Sequence, residues 1–410
     1  MKKVKHIVIL AGGDGDRLWP LKEKMLIPFL GKPFIQHIID NVTLYGEQIH
    51  VVVNKENKER IKDLLKSDVQ LIEQKEPYNG MAGAILSCKD KIDGSVLILG
   101  NDFFDFTRIA DMFETEDDMV LFAKKTSTYF PGGYLKLEGK QVKGIIEKPN
   151  PDKVPSDLVR LVVDYIKDAS GFIKIIEDLR DTSDSAYEQA LTYVIQNKKT
   201  TYVEYNGYWA ALKYPWHILS TTQTMLSQIK TKVIDPTVEI SPTALIHGSV
   251  VIEKNVKIGD YVKIAGPCYI GEGAVIADYS LVRNSYIGSH CLIGSSCEIA
   301  RSYIGNKVML HRNYVGDSVL DEGVLFGAGV VTANFRFDKG IVSTLVKEKK
   351  VSTDLNKCGA IVGKNSKVGV NSTLFPGVKI GKNSQIGPGE IVSKDIKDYA
   401  FFIKGTESKK

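Results

Sequence analysis

The chain has no apolar run approaching ~20 residues, so no segment is long enough to cross a bilayer as a helix. It has no C-x-x-C pair, and its five cysteines are scattered as Cys88, Cys268, Cys291, Cys297 and Cys358. An odd number cannot all pair internally, which points to reduced thiols in a cytoplasmic protein and away from a disulfide framework, a redox motif or a thiolate metal site. It has little charge excess: 54 Lys and Arg against 49 Asp and Glu leave a net +5, which does not imply a nucleic-acid partner. The start, MKKVKHIVILAGG, opens like a secretion signal. Its apolar stretch is too short, however, and the glycines and charges that follow do not fit a cleavage region. It reads as a buried first strand.

What is present is an ordinary globular balance, 43% hydrophobic and 25% charged, over 410 residues. That length exceeds what one core organises and predicts two domains. The first half alternates strand-like and helix-like runs. His6–Leu10 reads as a strand ending in a glycine-rich turn, 34–41 as a helix, Val51–Val53 as a strand, 58–66 as a helix and 95–100 as a buried strand. Such alternation predicts parallel βαβ units in a Rossmann-like α/β domain, with ligands at the carboxyl ends of the strands.

The second half follows another rule. From Ile240 an aliphatic residue recurs at every sixth position: Ile246, Ile252, Ile258, Ile264, Ile270, Ile276 and Val282. The phase slips by one to Ile287, Ile293 and Ile299, and returns in full at Val362, Val368, Leu374, Ile380, Ile386 and Val392. A six-residue period suits neither a helix nor an alternating strand. It suits an all-β parallel β-helix in which each hexapeptide is one face of a coil and coils stack at ~4.8 Å per layer. The boundary is expected at 231–235, after a helix over 216–229, giving domains 1–231 and 232–410. Residues 333–358 break the repeat and read as a loop leaving the coil, either functional or a tolerated insertion.

After the first strand comes Leu10-Ala11-Gly12-Gly13-Asp-Gly-Asp-Arg17, then Lys24, then Gly31-Lys32-Pro33. A glycine-rich turn lets backbone N–H groups approach phosphate oxygens. The stretch resembles the signature of sugar-1-phosphate nucleotidyltransferases, usually L-A-x-G-x-G-x-R, then P-K, then G-K-P, with Glu23 here in place of the proline before the lysine. The family's reaction joins a sugar phosphate oxygen to the α-phosphorus of a nucleoside triphosphate with loss of pyrophosphate. Negative charge crowds that site, so cations aimed at it stabilise the transition state. The resemblance implies that Leu10, Ala11, Gly12 and Gly13 hold the nucleotide, with Arg17 facing the triphosphate and Lys24 the α-phosphate region. Gln74 and Gly80 match the pair that reads a pyrimidine base. Asp102, after VLILGN, matches the metal-binding aspartate for Mg²⁺, and Glu147-Lys148-Pro149 the segment facing the sugar phosphate. Two motifs are altered. The family's N-x-G falls on Val159-Arg-Leu-Val-Val-Asp164, and its W-x-D-I-G on Trp209-Ala-Ala-Leu-Lys213, so Ala211 stands where the second metal carboxylate would be. Lys213 is a candidate to supply some of the missing cation charge, and Asp105 or Asp164 to replace the lost carboxylate.

In the repeat half, His311-Arg-Asn-Tyr-Val-Gly-Asp-Ser318, Phe326-Gly-Ala-Gly329 and Thr332-Ala-Asn334-Phe-Arg-Phe-Asp338 resemble the acetyltransferase half of bifunctional enzymes of this family, in their archaeal form. The resemblance implies a left-handed β-helix, acetyl-CoA as donor and a homotrimer. It makes His311 the base that takes the amine proton, a task suited to imidazole. It sets Arg283 and Tyr314 on the sugar phosphate and Asn334 near the thioester or amine. Lys364 and Lys382 are candidates for coenzyme A phosphates, with a solvated face as the plainer reading. The family's substrate lysine falls on Ala300, beside Arg301, and its substrate asparagine on Leu325.

The resemblance thus covers both domains in the same order. It implies an enzyme of nucleotide-sugar synthesis. Its nucleoside triphosphate would be UTP or dTTP, its acceptor an (N-acetyl)hexosamine 1-phosphate, and acetylation of the amino-sugar phosphate would be coupled. Two alternatives stay open: a member with one active half, and a non-catalytic paralogue that binds nucleotide-sugar and regulates a partner.

Overall fold

The first apolar run does form a strand, β1 (Val4–Leu10), buried except at Lys5 and paired with a strand on each edge. The structure, a computed structural model, describes residues 2–13, 15–64, 69–75, 80–127, 129–179, 181, 183 and 185–409. Its contacts divide the chain into two units. One comprises Met1–Asp14 and Phe34–Trp209; the other comprises Gly15–Pro33 and Ala210–Lys410.

In the first unit, β1 is followed by α1 (Phe34–Val42), β2 (Gly46–Val53), α2 (Lys58–Lys62), β3 (Val69–Glu73), α3 (Gly80–Leu86) and β4 (Val96–Leu99). β5 (Met119–Lys125), β6 (Gly133–Glu138), β7 (Gln141–Glu147), β8 (Leu158–Ile166), α4 (Ala169–Leu179), α5 (Ala186–Asn197) and β9 (Thr200–Tyr205) complete it. Among the described residues nine strands make one sheet, in the order β3-β2-β1-β4-β8-β5-β9-β7-β6. The four strands β3-β2-β1-β4 are parallel, as the βαβ alternation predicts. The far half is mixed: β8 runs antiparallel to β4 and β5, and β6 and β7 form a hairpin. A hairpin needs only a two-residue turn, supplied by Gly139 at φ +59° and Lys140, whereas parallel neighbours need a crossover. α2 ends at Lys62, short of the expected helix, and Lys66 lies outside the described residues. Val8, Val52, Ile98 and Leu121 of the sheet and Phe172, Tyr187 and Leu191 of α4 and α5 share one core.

The second unit is a left-handed parallel β-helix with α6 (His217–Ser227) before it. Each six-residue step lands on one of three faces, so residues eighteen apart stack, as in Ile252↔Ile270, Ile258↔Ile276 and Ile264↔Val282. The one-residue slip is a coil of seventeen, Ile270↔Ile287, and further on Ile304↔Leu320 closes a coil of sixteen. The aliphatic residues named by the repeat line the core from Ile252 to Val392. Ile240 stays 38% exposed because its strand sits at the end of the stack with one neighbour. Buried serines close one corner. Ser285, Ser302 and Ser318 each accept the backbone N–H of the next coil at 3.0–3.1 Å and donate to a carbonyl of their own. A hairpin, Ala400–Ile403 with Thr406–Lys409, extends one of the three sheets past Gln385–Ile386 and covers its terminal edge. The interruption at 333–358 is itself structured, holding the hairpin Ser343–Val346 and Lys349–Ser352.

All five cysteines are buried and free, and burial pushes the thiols of Cys88, Cys291 and Cys358 up to about 12. Among the described residues no helix is long and apolar enough to cross a membrane.

Candidate active sites

In the first unit the nucleotide motif gathers where parallel strands end. From β1 the chain passes through Leu10 and Ala11, both buried, and the Ala11 N–H donates to the Val52 carbonyl at 2.7 Å. Gly12 follows, and a Cβ there would lie 2.8 Å from Gln74 Oε1, so any side chain at 12 would push the Gln74 amide aside. Gln74 leaves β3 with its N–H bonded to the Val53 carbonyl at 2.8 Å, and its Nε2 donates to the Gly80 carbonyl at 3.2 Å. Gly12, Gln74 and Gly80 are thus brought together, with Gly13 exposed beside them. Asp102 follows β4, the direct neighbour of β1, and its Oδ2 accepts from Trp209 Nε1 at 3.0 Å.

The two carboxylates considered as substitutes for the residue lost at Ala211 are both engaged. Asp105 caps the short helix Phe106–Phe113, accepting from the Thr107 N–H at 3.0 Å and hydroxyl at 2.7 Å. Asp164 is wholly buried and paired with Arg160 through two bonds, one of them Nε to Oδ1 at 3.0 Å, and it accepts from the Tyr187 hydroxyl at 2.8 Å. Burial opposes the charge on Arg160, but the Asp164 carboxylate outweighs it and holds the guanidinium more firmly protonated than usual. Among the described residues no group of three or more His, Cys, Asp or Glu could hold a metal.

The hairpin β6–β7 presents Glu147, exposed at its end and close enough that a Cβ on Gly133 would meet its Oε1 at 2.6 Å. Lys148 turns away at φ +44° with its N–H on the Gly132 carbonyl. One neighbour escaped the sequence reading. Glu188 of α5 has a buried, unpartnered Oε2. Burial raises its carboxyl, with Glu147 and Asp164 adding to the rise and Arg160 opposing it. Its only sequence signal was an acidic residue in a helix's first turn.

In the second unit, Gly15–Pro33 carries Arg17, exposed in a short turn (Asp16–Leu18), and Lys24, which opens another (Lys24–Leu26). The acetyl-transfer candidates share this unit. Arg283, Ala300 and Gly316 stack in register, as do Glu298 and Tyr314. Arg283 pairs with Glu298 at 2.7 Å. Arg301 forks onto Asp317 with two bonds of 2.7 Å, and Asn334 Nδ2 bridges Asp317 and the Tyr314 hydroxyl. Arg283, Tyr314 and Asn334 therefore gather on one face. His311 sits at the corner ahead of Tyr314, exposed; its backbone N–H donates to Asn313 Oδ1 at 2.6 Å, and its ring makes no hydrogen bond among the described residues.

The nucleotidyl transferase family matches residues 6–212, and the GMPPB C-terminal domain matches 228–334. A curated relative named bifunctional protein GlmU, from Methanococcus vannielii, is 33% identical and covers 98% of both chains. The bifunctional sugar-1-phosphate nucleotidylyltransferase/acetyltransferase of Sulfurisphaera tokodaii is also 33% identical, over 96% of this chain and 98% of its own. The chain belongs to this bifunctional sugar-1-phosphate nucleotidylyltransferase/acetyltransferase family. A solved structure described as a putative glucose-1-phosphate thymidylyltransferase from Bacillus anthracis covers 54% of this chain and 94% of its own at 19% identity and a TM-score of 0.47, too distant to argue from.

For a member of this family the altered positions have plain physical settings. Ala300 is buried where a lysine is usual, and the neighbouring Arg301 spends its charge on Asp317. Leu325 stacks on Met309, on another face of the coil. Lys364 is paired with Glu322 at 2.8 Å and Lys382 lies over the Tyr399 ring, so both lysines have partners within the coil.

Proposed function

We propose that the protein transfers the nucleotidyl group of UTP or dTTP to an (N-acetyl)hexosamine 1-phosphate, releasing pyrophosphate, and acetylates the amino-sugar phosphate from acetyl-CoA. The observation that carries the first half is the convergence of Gly12, Gln74 and Gly80 beyond the carboxyl ends of parallel strands, next to the strand that leads to Asp102. On this reading the Gly12 and Gly13 N–H groups meet phosphate and Gln74 meets the base. Arg17 faces the triphosphate, Lys24 the α-phosphate, and Glu147 and Lys148 the sugar phosphate. The acceptor's phosphate oxygen bonds to the α-phosphorus as the bond to the bridging oxygen breaks. Asp102 suits Mg²⁺ carried in by a triphosphate, because that ion needs only one or two carboxylates when phosphates and water complete its shell. Bound there, Mg²⁺ would neutralise charge on the phosphates.

In the second half, the His311 ring is unengaged and exposed, as a base must be to take an amine proton. The freed amine lone pair attacks the thioester carbonyl, and the coenzyme A thiolate leaves. Arg283, Tyr314 and Asn334 would hold the acceptor. The β-helix resembles trimeric acyltransferases, so we expect a homotrimer, measurable by sedimentation.

A non-catalytic, nucleotide-sugar-binding reading has its own support. The buried Arg160–Asp164–Tyr187 cluster fills the stretch of the missing N-x-G motif, and Glu298 and Asp317 already neutralise Arg283 and Arg301. Pyrophosphate release with Mg²⁺, UTP or dTTP and a panel of hexose and N-acetylhexosamine 1-phosphates separates the two. Release with one pair establishes transfer and names the substrates. No release, with nucleotide-sugar still bound, favours the regulatory reading.

A further inference from the structure

We infer that the β-helix is the frame that sets the conformation of the segment bearing Arg17 and Lys24, and that Tyr303, Trp19 and Lys379 are positioning residues for nucleotidyl transfer. The inference rests on the proposed reading of Arg17 and Lys24, and it deepens that reading.

The segment Gly15–Pro33 groups with the coils in one compact unit. On one face Tyr269, Tyr286 and Tyr303 stack in register, ring centroids 5.1 and 4.9 Å apart and nearly parallel. They alternate with core residues such as Ile270, Ile287 and Ile304, so they point outward, where a tyrosine would ordinarily be wet. Each is nonetheless at most 3% exposed. Part of their cover is the turn Pro28–Pro33. Phe29 packs 5.6 Å from the Tyr303 ring, and the Tyr303 hydroxyl donates to the Pro28 carbonyl at 3.0 Å. Gly31, at φ +78°, lies so close to Tyr269 that a Cβ would stand 2.3 Å from its hydroxyl.

The other end is held separately. Trp19 Nε1 donates to Asp398 at 2.8 Å, and its ring faces the Lys379 ammonium at 5.4 Å. Lys379 is itself buried, bonded to Asp395 and to Thr344 and Leu345 of the inserted hairpin. From the same hairpin Lys347 pairs with Asp16 at 3.1 Å. Pro20 is buried and approaches Gly363 so closely that a Cβ there would meet it at 3.0 Å.

Both flanks of Arg17 and Lys24 are thus fastened, and the interruption of the repeat has a task, to brace the first flank. A charged side chain on a fixed turn reaches a phosphate without first ordering its backbone, which favours turnover over mere binding.

The test compares the full chain with Tyr303→Phe, Trp19→Phe and Arg17→Ala. Tyr303→Phe keeps the ring and removes only the bond to Pro28. Expected for Tyr303→Phe and Trp19→Phe are amide exchange at least ~10-fold faster across 16–31, unchanged exchange in the coil core, and kcat for pyrophosphate release from UTP down ~10-fold with KM within about 3-fold. Unchanged protection of 16–31 in both variants would overturn the anchoring. Faster exchange with undiminished kcat would overturn the positioning role. Arg17→Ala tests the underlying reading: full turnover in that variant refutes a role for Arg17 in transfer, while the exchange data still judge the anchor. A parent that turns over no substrate pair removes the positioning role together with the proposed function.

Discussion

Removing the Asp164 carboxylate separates a metal ligand from a structural ion. The side chains of Arg160 and Asp164 are 3% and 0% exposed, and the Tyr187 hydroxyl takes a further position on the same carboxylate. Asp164→Ala therefore leaves a guanidinium in the core with no counter-charge and leaves a phenol unpaired. Breaking a buried pair from one side costs about 3–5 kcal/mol. With a urea slope of about 1–3 kcal/mol per molar, the midpoint of this unit falls by at least ~1 M. Replacing both partners with apolar residues, Arg160→Met with Asp164→Leu, removes the uncompensated charge and recovers most of the loss. Equilibrium urea unfolding followed by circular dichroism reads the stability, and a Mg²⁺ titration of pyrophosphate release reads the metal. The expected pattern is a large loss of stability in Asp164→Ala and an unchanged half-saturating Mg²⁺ concentration, measured below the unfolding range. A variant that kept its urea midpoint but needed tenfold more Mg²⁺ would refute the structural assignment and restore Asp164 as the missing ligand.

Three further outcomes follow from the geometry. His50 is buried, hydrogen-bonded to His6 at 3.0 Å, and held down to about 4 by burial, with His6 and Lys91 adding to the effect. Its folded value lies below the ~6.5 of a free imidazole, so the unfolded chain binds the extra proton between those values. The contribution of His50 is intact above pH ~6.5 and drains as pH falls toward 4, by up to ~1.4 kcal/mol per unit; His50→Asn should flatten the urea-midpoint profile there. Gly12→Ala pushes a flexible side-chain end, Gln74 Oε1, and with it the bond to Gly80. Losing about 1 kcal/mol of preorganised contact raises the KM for the nucleotide roughly five-fold with little change in melting temperature; a melting drop as large as for Asp164→Ala would contradict it. His311→Ala, at an exposed corner, should leave stability within ~0.5 kcal/mol and lower acetyl transfer at least ~100-fold, so undiminished transfer of acetyl from acetyl-CoA to glucosamine 1-phosphate and its relatives would end the base assignment.

The β-helix was legible because its core obeys a local rule: an aliphatic residue at every sixth position is enough to place Ile252, Ile258 and Ile264 on three faces. The rule fades between Ile299 and Val362 for a geometric reason, since coils shortened to sixteen and then the insertion shift the phase without changing which side chains stack. Three of the four parallel strands were legible for the same kind of reason; the fourth, Val69–Glu73, is only partly buried and carries no continuous apolar run. The mixed half was not, because β8 interrupts its apolar run with Arg160, whose partner Tyr187 lies on a different element.

The candidate sites divide along the same line. Gly12, Gln74, Asp102 and His311 are candidates because the stretches around them resemble the family's motifs. What lies around them could not be found that way, because nothing near Trp19 in sequence announces Asp398, and nothing near Asp16 announces Lys347. One long-range signal was present and uncounted: Tyr269, Tyr286 and Tyr303 recur every seventeen residues, the length of a short coil, at positions the core does not use. Aromatic rings repeated at coil spacing on the outside of a solenoid make a stripe one coil-width across, and such a stripe gains little unless another segment covers it. Here part of the cover comes from the signature segment. The repeat period therefore fixes a surface as well as a core, and the residues that hold Arg17 and Lys24 in place belong to the half of the sequence that the nucleotide motif does not reach.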